Sequence, residues 1–413
     1  MEVTIAVLFI GLVIFFAHLF AVLYAKTRIP DVLLLFLVGF LFGPILDVIR
    51  PSHFGAIGQV FSTITLILIL FESGGDLSLS GMRQSARGLF GLTIMSFISA
   101  MVVSSGIVIL FTKLSLGAAL MLGAITGGTS SAIVIPILDK LRMRENSKTT
   151  LIFESIINDV LCIVVTFSLI SAYQQGDLHI GLMIMRIAGT FILAGLLGVI
   201  FALLWSVVLK KIRILQNSTF TTLAFVFVVY GIVEFFGFSG AISALVFGYV
   251  LNHISRLKID LLGNWMKVQP SELNDRERGF FAEVVFLLKT FFFIYIGVSI
   301  QVANTWLMML GLLVTLALFL IRIPIVRLTM PKSTPIKDAT LMSIVIPKGL
   351  AAAVLASIPL HKGIPGGDII QTLTYTVVLF SIIISSILIY IVEFPVFGNL
   401  YQRVFRRKFS QGE

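Results

Sequence analysis

The 413-residue sequence contains little charge and a single cysteine. Asp, Glu, Lys and Arg together make up 12% of the residues, whereas 58% are hydrophobic and the mean hydropathy is +1.07. Soluble domains carry about 25% charged residues, so this chain lacks the polar side chains that would coat a water-soluble globule. Cys162 lies in an apolar run, and a lone cysteine excludes both a disulfide framework and a cysteine-rich metal site. The composition predicts a chain surrounded by lipid.

The apolar residues fall into 13 segments, most of them close to the roughly 20 residues that a helix needs to cross a bilayer. The segments lie near 4–24, 31–49, 57–75, 88–112, 116–138, 149–174, 180–209, 217–236, 238–252, 280–300, 305–326, 338–360 and 370–394. The first has no basic region before it and no small-residue cleavage site, so we interpret it as a span rather than a signal peptide. We expect residues 1–413 to form one transmembrane domain without a soluble regulatory domain.

The basic residues are distributed very unevenly between the two sides of these segments. Of the 30 Lys and Arg residues, 23 fall in one set of alternating connections, three in the opposite set and four inside the segments. This asymmetry follows the positive-inside rule and predicts an N-terminus outside the cell membrane and a C-terminus in the cytoplasm. The net charge of +10 therefore indicates membrane orientation and not a nucleic-acid partner.

The sequence contains a weak internal repeat. A shift of 222 positions aligns residues 71–75 with 293–297, and it also aligns the middle of the fifth segment with the middle of the twelfth. The shift spans seven segments, so matched segments cross the membrane in opposite directions. This arrangement is the inverted-topology repeat of secondary transporters, and we place the two repeats at roughly 30–175 and 255–395.

Two of the matched segments contain helix-breaking residues. The fifth carries Gly127, Gly128, Thr129, Ser130 and Ser131, and the twelfth carries Pro347, Lys348 and Gly349. Glycine and proline weaken a helix, and irregular backbone at membrane depth is tolerated only where protein or a wet cavity satisfies its polar groups. Paired breaks in corresponding helices indicate a transport site. The predicted fold is an all-α polytopic membrane protein with two discontinuous helices that cross near the midplane.

The sixth segment contains buried polar residues on one side of its helix. Glu154, Ser155, Asn158 and Asp159 fall within an arc of about 140° at 100° per residue. Asp159 follows Lys148 by eleven positions, which places it roughly 16 Å deep, close to the midplane of a 30 Å hydrocarbon core. A carboxylate at that depth binds a proton, binds a cation or pairs with a fixed charge.

Oxygen atoms that suit a monovalent cation surround this carboxylate in the predicted arrangement. The amide of Asn158 and the hydroxyls of Ser155, Thr129 and Ser130 are the candidate ligands beside Asp159. We therefore predict that Asp159 is a shared proton and cation site.

We predict different roles for the other charged residues within or near the apolar segments. Glu154 is predicted to form a structural ion pair with Lys348 or Arg322, and Lys348 alternatively balances the ends of the half-helices. Glu72, near the cytoplasmic end of the third segment, is a candidate for the inner entrance, with a merely interfacial position as the alternative. No role follows from the sequence for His18, Lys289 and Glu283.

The motif from Phe153 to Asp159, preceded by a broken helix with Gly-Gly-Thr-Ser-Ser, resembles the monovalent cation:proton antiporters, specifically the NhaP-like sodium/proton antiporter branch. The resemblance covers almost the whole chain. It implies an NhaA/NhaP-like fold, a homodimer, alternating access, a role in pH homeostasis and electroneutral exchange of one cation for one proton. It also implies that Na⁺ or K⁺ is bound by Asp159, Ser155 and Thr129, and that Glu154 pairs with a base in the twelfth segment.

Two departures from the family pattern bear on the cation. The branch usually has Asp where this sequence has Ser130, and Arg where it has Lys348. The missing acid removes a negative charge from the site and weakens the case for strong sodium binding. The glutathione-gated potassium efflux branch is richer in Ser and Thr at this position, so K⁺ stays open as the substrate.

The predicted function is exchange of Na⁺ or Li⁺ for H⁺, and the closest alternative is a K⁺/H⁺ antiporter. A sodium-coupled symporter of organic solutes would need a larger polar cavity, and a channel would need a continuous polar pathway. An enzyme that hydrolyses bonds within the membrane is disfavoured because no His accompanies the buried Asp or Ser residues. We expect no cofactor.

Overall fold

A computed structural model describes residues 2–27, 31–51, 55–76, 79–175, 180–213, 218–254, 271–300 and 304–393. The regular elements in these ranges are helices. In chain order they are α1 (Glu2–Thr27), α2 (Asp31–Phe40, continued by a π-helical turn at Leu41–Ile45), α3 (Gly55–Asp76), α4 (Leu79–Phe111), α5 (Leu116–Gly127), α6 (Ser131–Lys140), α7 (Glu145–Gln175), α8 (Ile180–Ile212), α9 (Ser218–Phe235), α10 (Gly240–His253), α11 (Asp275–Ser299), α12 (Thr305–Thr329), α13 (Ile336–Ile344), α14 (Leu350–His361) and α15 (Gly367–Glu393).

Each of the 13 predicted apolar segments coincides with a helix or with two consecutive helices. Among the described residues, seven stretches are long and apolar enough to cross a membrane, and six shorter apolar helices occupy the other predicted positions. The prediction of an all-α polytopic membrane protein is confirmed.

The two predicted helix breaks are present. The fifth segment is divided between α5 and α6 by residues 128–130, and the twelfth is divided between α13 and α14 by residues 345–349. A methyl group at Gly128 would lie 2.5 Å from the sulfur of Cys162 on α7, so the chain comes close to its neighbour at this break. Pro347 lacks an N–H and disfavours helical backbone in the residue before it, which explains the second break.

The chain divides into two compact units. The first comprises residues 1–58, 79–175 and 290–413, and the second comprises residues 59–78 and 176–289. The first unit therefore contains both broken helices and the polar stretch of α7. The boundaries predicted for the two sequence repeats stay a prediction.

In the first unit, α2 crosses the end of α11 at glycine positions. A Cβ atom on Gly39 would lie 2.1 Å from the carbonyl oxygen of Ile294, and one on Gly297 would lie 2.3 Å from that of Phe36. Only glycine permits such an approach of two backbones.

The second unit contains a similar crossing between α3 and α10. A Cβ atom on Gly74 would lie 2.0 Å from the carbonyl oxygen of Leu245, and one on Gly248 would lie 2.0 Å from that of Phe71. The two sequence segments that the 222-residue shift aligns, 71–75 and 293–297, thus each cross a neighbouring helix through close glycine contacts.

The broken helix α5–α6 is the most enclosed long apolar stretch of the described residues. Its most apolar 18-residue window is 89% buried, compared with 33% for the corresponding window of α4. Helices α4, α7, α14 and α15 pack against α5 within the first unit. Side chains at its break are therefore held away from lipid.

Candidate cation and proton site

The two helix breaks contact each other through their backbones. The N–H of Ser130 donates a hydrogen bond of 2.9 Å to the carbonyl oxygen of Pro347. A Cβ atom on Gly349 would lie 2.3 Å from the hydroxyl oxygen of Ser130, so no larger residue fits there without rearrangement. The side chain of Ser130 therefore lies against the second break.

The side chain of Asp159, which belongs to α7, lies at the N-terminus of α6. Its Oδ2 accepts two hydrogen bonds from Ser131, one of 3.1 Å from the backbone N–H and one of 2.6 Å from the hydroxyl. The side chain is buried, with 6% exposure. The first N–H groups of a helix have no partner within the helix and carry partial positive charge, which favours an anion. In the part of the chain that the structure describes, no Lys or Arg forms a salt bridge with Asp159.

Asn158 connects α7 to the first break. Its amide nitrogen donates a hydrogen bond of 3.3 Å to the hydroxyl of Thr129. Its amide oxygen is buried and has no hydrogen-bond partner among the described residues. A buried carbonyl oxygen without a donor is rare in proteins, and a hard cation is one kind of group that satisfies it.

Ser155 lies one helical turn from the carboxylate. Its hydroxyl is fully buried and donates a hydrogen bond of 2.8 Å to the carbonyl oxygen of Ile152, three residues earlier in α7. Since a hydroxyl oxygen keeps two lone pairs, this bond leaves Ser155 able to act as a ligand.

Glu154 forms a buried ion pair with Arg322 of α12. The guanidinium contacts both carboxylate oxygens, with Nη2 at 2.6 Å from Oε2, and the two side chains are 1% and 3% exposed. Arg322 also donates to the hydroxyl of Ser96 on α4 and, at 3.1 Å, to the carbonyl oxygen of Met342 on α13. This bidentate geometry neutralises Glu154 and connects four helices.

The side chain of Lys348, which belongs to the second break, lies at the C-terminus of α5. Its Nζ is 3.5 Å from the carbonyl oxygen of Gly127, and its backbone N–H donates a hydrogen bond of 2.9 Å to Ser381. A cation is favourable at a helix C-terminus because the last carbonyl groups carry partial negative charge. Of the two partners left open by the sequence, the structure places Arg322 beside Glu154 and Lys348 at the half-helix end.

A small cavity opens beside the breaks. It has a volume of about 20 Å³, which is room for about one water molecule. Its polar lining comes from Ser96, Ser99, Thr129, Arg322 and Lys348.

The remaining sequence candidate, Glu72, belongs to the second compact unit and is half-buried. Among the described residues no group of three or more His, Cys, Asp or Glu side chains could hold a metal ion. The oxygens gathered near Asp159 carry one negative charge between them, which suits a monovalent cation.

Sequence reasoning named Ser130 and missed Ser131, although Ser131 is the residue that contacts the carboxylate. The available signal was the position of Ser131 directly after the break, where a new helix begins and its N–H groups have no helical partner. Ser96 was also missed, because an isolated serine in an apolar helix gives no sign of its partner.

Comparison with known proteins identifies the family. The family described as "Sodium/hydrogen exchanger, transmembrane" matches residues 11–392. Na(+)/H(+) antiporter 1 of Methanocaldococcus jannaschii is 30% identical over 202 residues, 48% of this chain and 47% of that protein. Probable Na(+)/H(+) antiporter 2 of the same organism is 26% identical over 407 residues, 94% of each chain.

Among solved structures, the sodium proton antiporter MjNhaP1 from Methanocaldococcus jannaschii has a similar fold, with a TM-score of 0.72 at 22% sequence identity. The match covers 94% of this chain and 100% of that one. The alignment spans about half the length of the first relative and nearly all of the second. The match of the family over residues 11–392 shows that this integral membrane protein belongs to the sodium/hydrogen exchanger family.

Proposed function

We propose that this protein exchanges Na⁺ or Li⁺ for H⁺ across the cell membrane by alternating access, with Asp159 as the site that the proton and the cation occupy in turn. The observation that carries the proposal is the environment of Asp159, which is buried, receives hydrogen bonds from Ser131 and has no salt bridge among the described residues. A buried carboxylate without a fixed counter-charge needs a mobile one.

Competition for one carboxylate makes the exchange obligatory. The carboxylate is neutralised equally by a proton or by a monovalent cation, so each loaded form crosses the membrane without an uncompensated buried charge. The empty form carries that charge and is disfavoured. Transport of one ion in each direction then follows, and the cycle moves no net charge.

Of the two buried acids of α7 among the described residues, Asp159 is the one without a salt bridge, which supports a cycle with one exchangeable acid. Glu154 is neutralised by Arg322, and position 130 carries a serine whose hydroxyl lies against Gly349. A second mobile acid at either position would have allowed two protons per cation. Within the described residues, the stoichiometry supported best is one to one.

The ligands proposed for the cation are Asp159, Asn158, Ser155 and Thr129. The unpartnered amide oxygen of Asn158 supports its role directly. Ser130 contributes through its backbone contact with the second break, and its hydroxyl faces Gly349.

The same oxygens support a second candidate, K⁺/H⁺ exchange. One carboxylate surrounded by neutral hydroxyl and amide oxygens is a weak ligand field, and a weak field discriminates less strongly against the larger ion. A transport assay that compares Na⁺ with K⁺ distinguishes the two candidates.

We further propose that the protein works as a homodimer in the cell membrane, with its N-terminus outside and its C-terminus in the cytoplasm. The 23-to-3 distribution of basic residues supports the orientation. Proton-coupled exchange with this orientation would serve pH homeostasis.

The test is transport by the purified protein in liposomes. A pH gradient is imposed, and its dissipation by Na⁺, Li⁺ or K⁺ is followed with a pH-sensitive dye. We expect Na⁺ and Li⁺ to dissipate the gradient, and Asp159→Asn to abolish the effect. Asp139→Asn, which changes an exposed aspartate near the end of α6, is the matched control and should transport normally.

Three results would contradict the proposal. Exchange that persists in Asp159→Asn would place the ion site elsewhere. A rate that changes when valinomycin and K⁺ clamp the membrane potential would show that the cycle moves net charge. Dissipation by K⁺ but not by Na⁺ or Li⁺ would replace Na⁺/H⁺ exchange with the second candidate.

A further inference from the structure

Ser131 makes two contacts with Asp159 that simple competition for the carboxylate does not require. Its backbone N–H and its hydroxyl both donate to the same oxygen, Oδ2, at 3.1 and 2.6 Å. We propose that Ser131 is a positioning residue that holds Oδ2 of Asp159 and so presents Oδ1 to the transported cation. The inference rests on the exchange function proposed above.

The backbone around Ser131 is arranged for this contact. Ser131 is the first residue of α6, and the preceding Ser130 is extended, with φ −85° and ψ 117°. Ser130 forms no side-chain capping bond with α6. The carboxylate of Asp159, from α7, takes the place of that cap, because it accepts from the first N–H of the helix. Ser131 is 1% exposed, so water does not compete for these bonds.

The two hydrogen bonds fix the orientation of the carboxylate. Both donors contact Oδ2, and no hydrogen bond to Oδ1 is formed within the described residues. Ser131 therefore holds one oxygen and leaves the other available to the mobile ion. A ligand that is already oriented binds without the cost of ordering it, so the hydroxyl of Ser131 strengthens cation binding.

Few other titratable groups bear on this carboxylate. On α7 they are Glu154, which is paired with Arg322, and Cys162, and the second break contributes Lys348. Helix α5 has no titratable residue. The titratable residues of the other helices that pack against α7 lie towards the ends of those helices: Arg83 and Arg87 of α4, Asp139 and Lys140 of α6, Lys337 and Asp338 of α13, and His361 of α14.

The experiment measures the KM for Na⁺ and the maximal rate of exchange in liposomes, at one fixed pH, for three substitutions. Ser131→Ala removes the hydroxyl and keeps the N–H. Ser131→Pro removes both donors, and proline is compatible with the first position of a helix after an extended residue. Ser131→Thr keeps both donors.

We expect Ser131→Ala to raise the KM for Na⁺ about tenfold with little change in the maximal rate. Ser131→Pro should raise the KM further, and Ser131→Thr should leave it near the wild-type value. Ser105→Ala is the control, since Ser105 is a buried serine of the same unit whose hydroxyl donates at 2.9 Å to Ala119. It should leave the KM unchanged.

An unchanged KM in Ser131→Ala would overturn the inference. If Ser131→Pro does not fold, Ser131→Ala and Ser131→Thr still decide, because they differ from wild type by a few atoms. The second readout is the Na⁺ concentration that raises the melting temperature of the detergent-solubilised protein, which should increase in parallel with the KM. Exchange in Asp159→Asn would refute the proposed function itself, whereas an inactive Asp159→Asn with an unchanged KM in Ser131→Ala would refute this inference alone.

Discussion

Two regions of α7, less than two helical turns apart, hold a buried acid in different ways. At Glu154 the carboxylate is matched by a guanidinium that contacts both of its oxygens. At Asp159 the carboxylate receives two hydrogen bonds from Ser131, both to the same oxygen. The first acid is neutralised by a residue fixed in the protein, and the second depends on donors that carry no full charge.

Under the proposed function, this difference separates a structural charge from an exchangeable one. Breaking a buried ion pair leaves an uncompensated charge, so we expect Glu154 and Arg322 to stay together throughout the proposed cycle. The carboxylate of Asp159 has no fixed positive partner among the described residues, which is what the proposed exchange between a proton and a cation requires. Burial alone does not distinguish the two acids, since both are less than 10% exposed.

The largest effect is expected where the fixed pair is broken. Arg322→Met leaves Glu154 buried without its partner and should lower the free energy of unfolding by about 3–5 kcal/mol. The double variant Glu154→Gln/Arg322→Met should recover most of that loss, because neither charge remains. Thermal unfolding in detergent measures both. A double variant no more stable than Arg322→Met would contradict the structural role of the pair.

The helices could be predicted because a bilayer requires long apolar segments with satisfied backbone groups. All 13 segments and both breaks could be predicted, because apolar length and helix-breaking residues are local properties of the sequence. The π-helical turn at Leu41–Ile45 was not predicted, although Gly43 and Pro44 within it are helix-breaking residues and were an available signal.

The site was predictable in part. The burial of Asp159 and Glu154 on α7 followed from their spacing, and their depth in the bilayer stays a prediction. The choice between Arg322 and Lys348 did not follow, because it depends on how α12 and the second break are rotated about their axes. The same limit applies to Ser131, which lies one residue from the predicted Ser130. Adjacent positions at a helix start point in different directions.

A second prediction concerns the crossing of the two breaks. Gly349→Ala would place a methyl group 2.3 Å from the hydroxyl oxygen of Ser130. We expect a loss of about 1–3 kcal/mol in unfolding free energy, together with weakened exchange, because the break near Asp159 must shift. Gly106→Ala in α4 is the control, since no atom lies within 4 Å of the added methyl group. Equal stability of the two variants would count against a tight crossing.

The smallest effect is expected at Thr129. Thr129→Val removes the acceptor for the amide of Asn158 and one proposed cation ligand. The KM for Na⁺ should rise about tenfold, the equivalent of about 1.4 kcal/mol, with little change in the maximal rate. Thr126→Val is matched to it, because Thr126 donates at 2.9 Å within α5, to Leu122. A KM raised equally in both variants would remove Thr129 from the site.

The contrast between the two acids is tested most directly by proton release on cation binding. Na⁺ is added to the detergent-solubilised protein in weakly buffered solution, and the change in pH is recorded. Wild type and Glu154→Gln/Arg322→Met should each release protons, up to about one per chain, because the cation displaces the proton of Asp159. Asp159→Asn should release none. Proton release that persists in Asp159→Asn, or that disappears with the Glu154 pair, would contradict the assignment of exchange to Asp159.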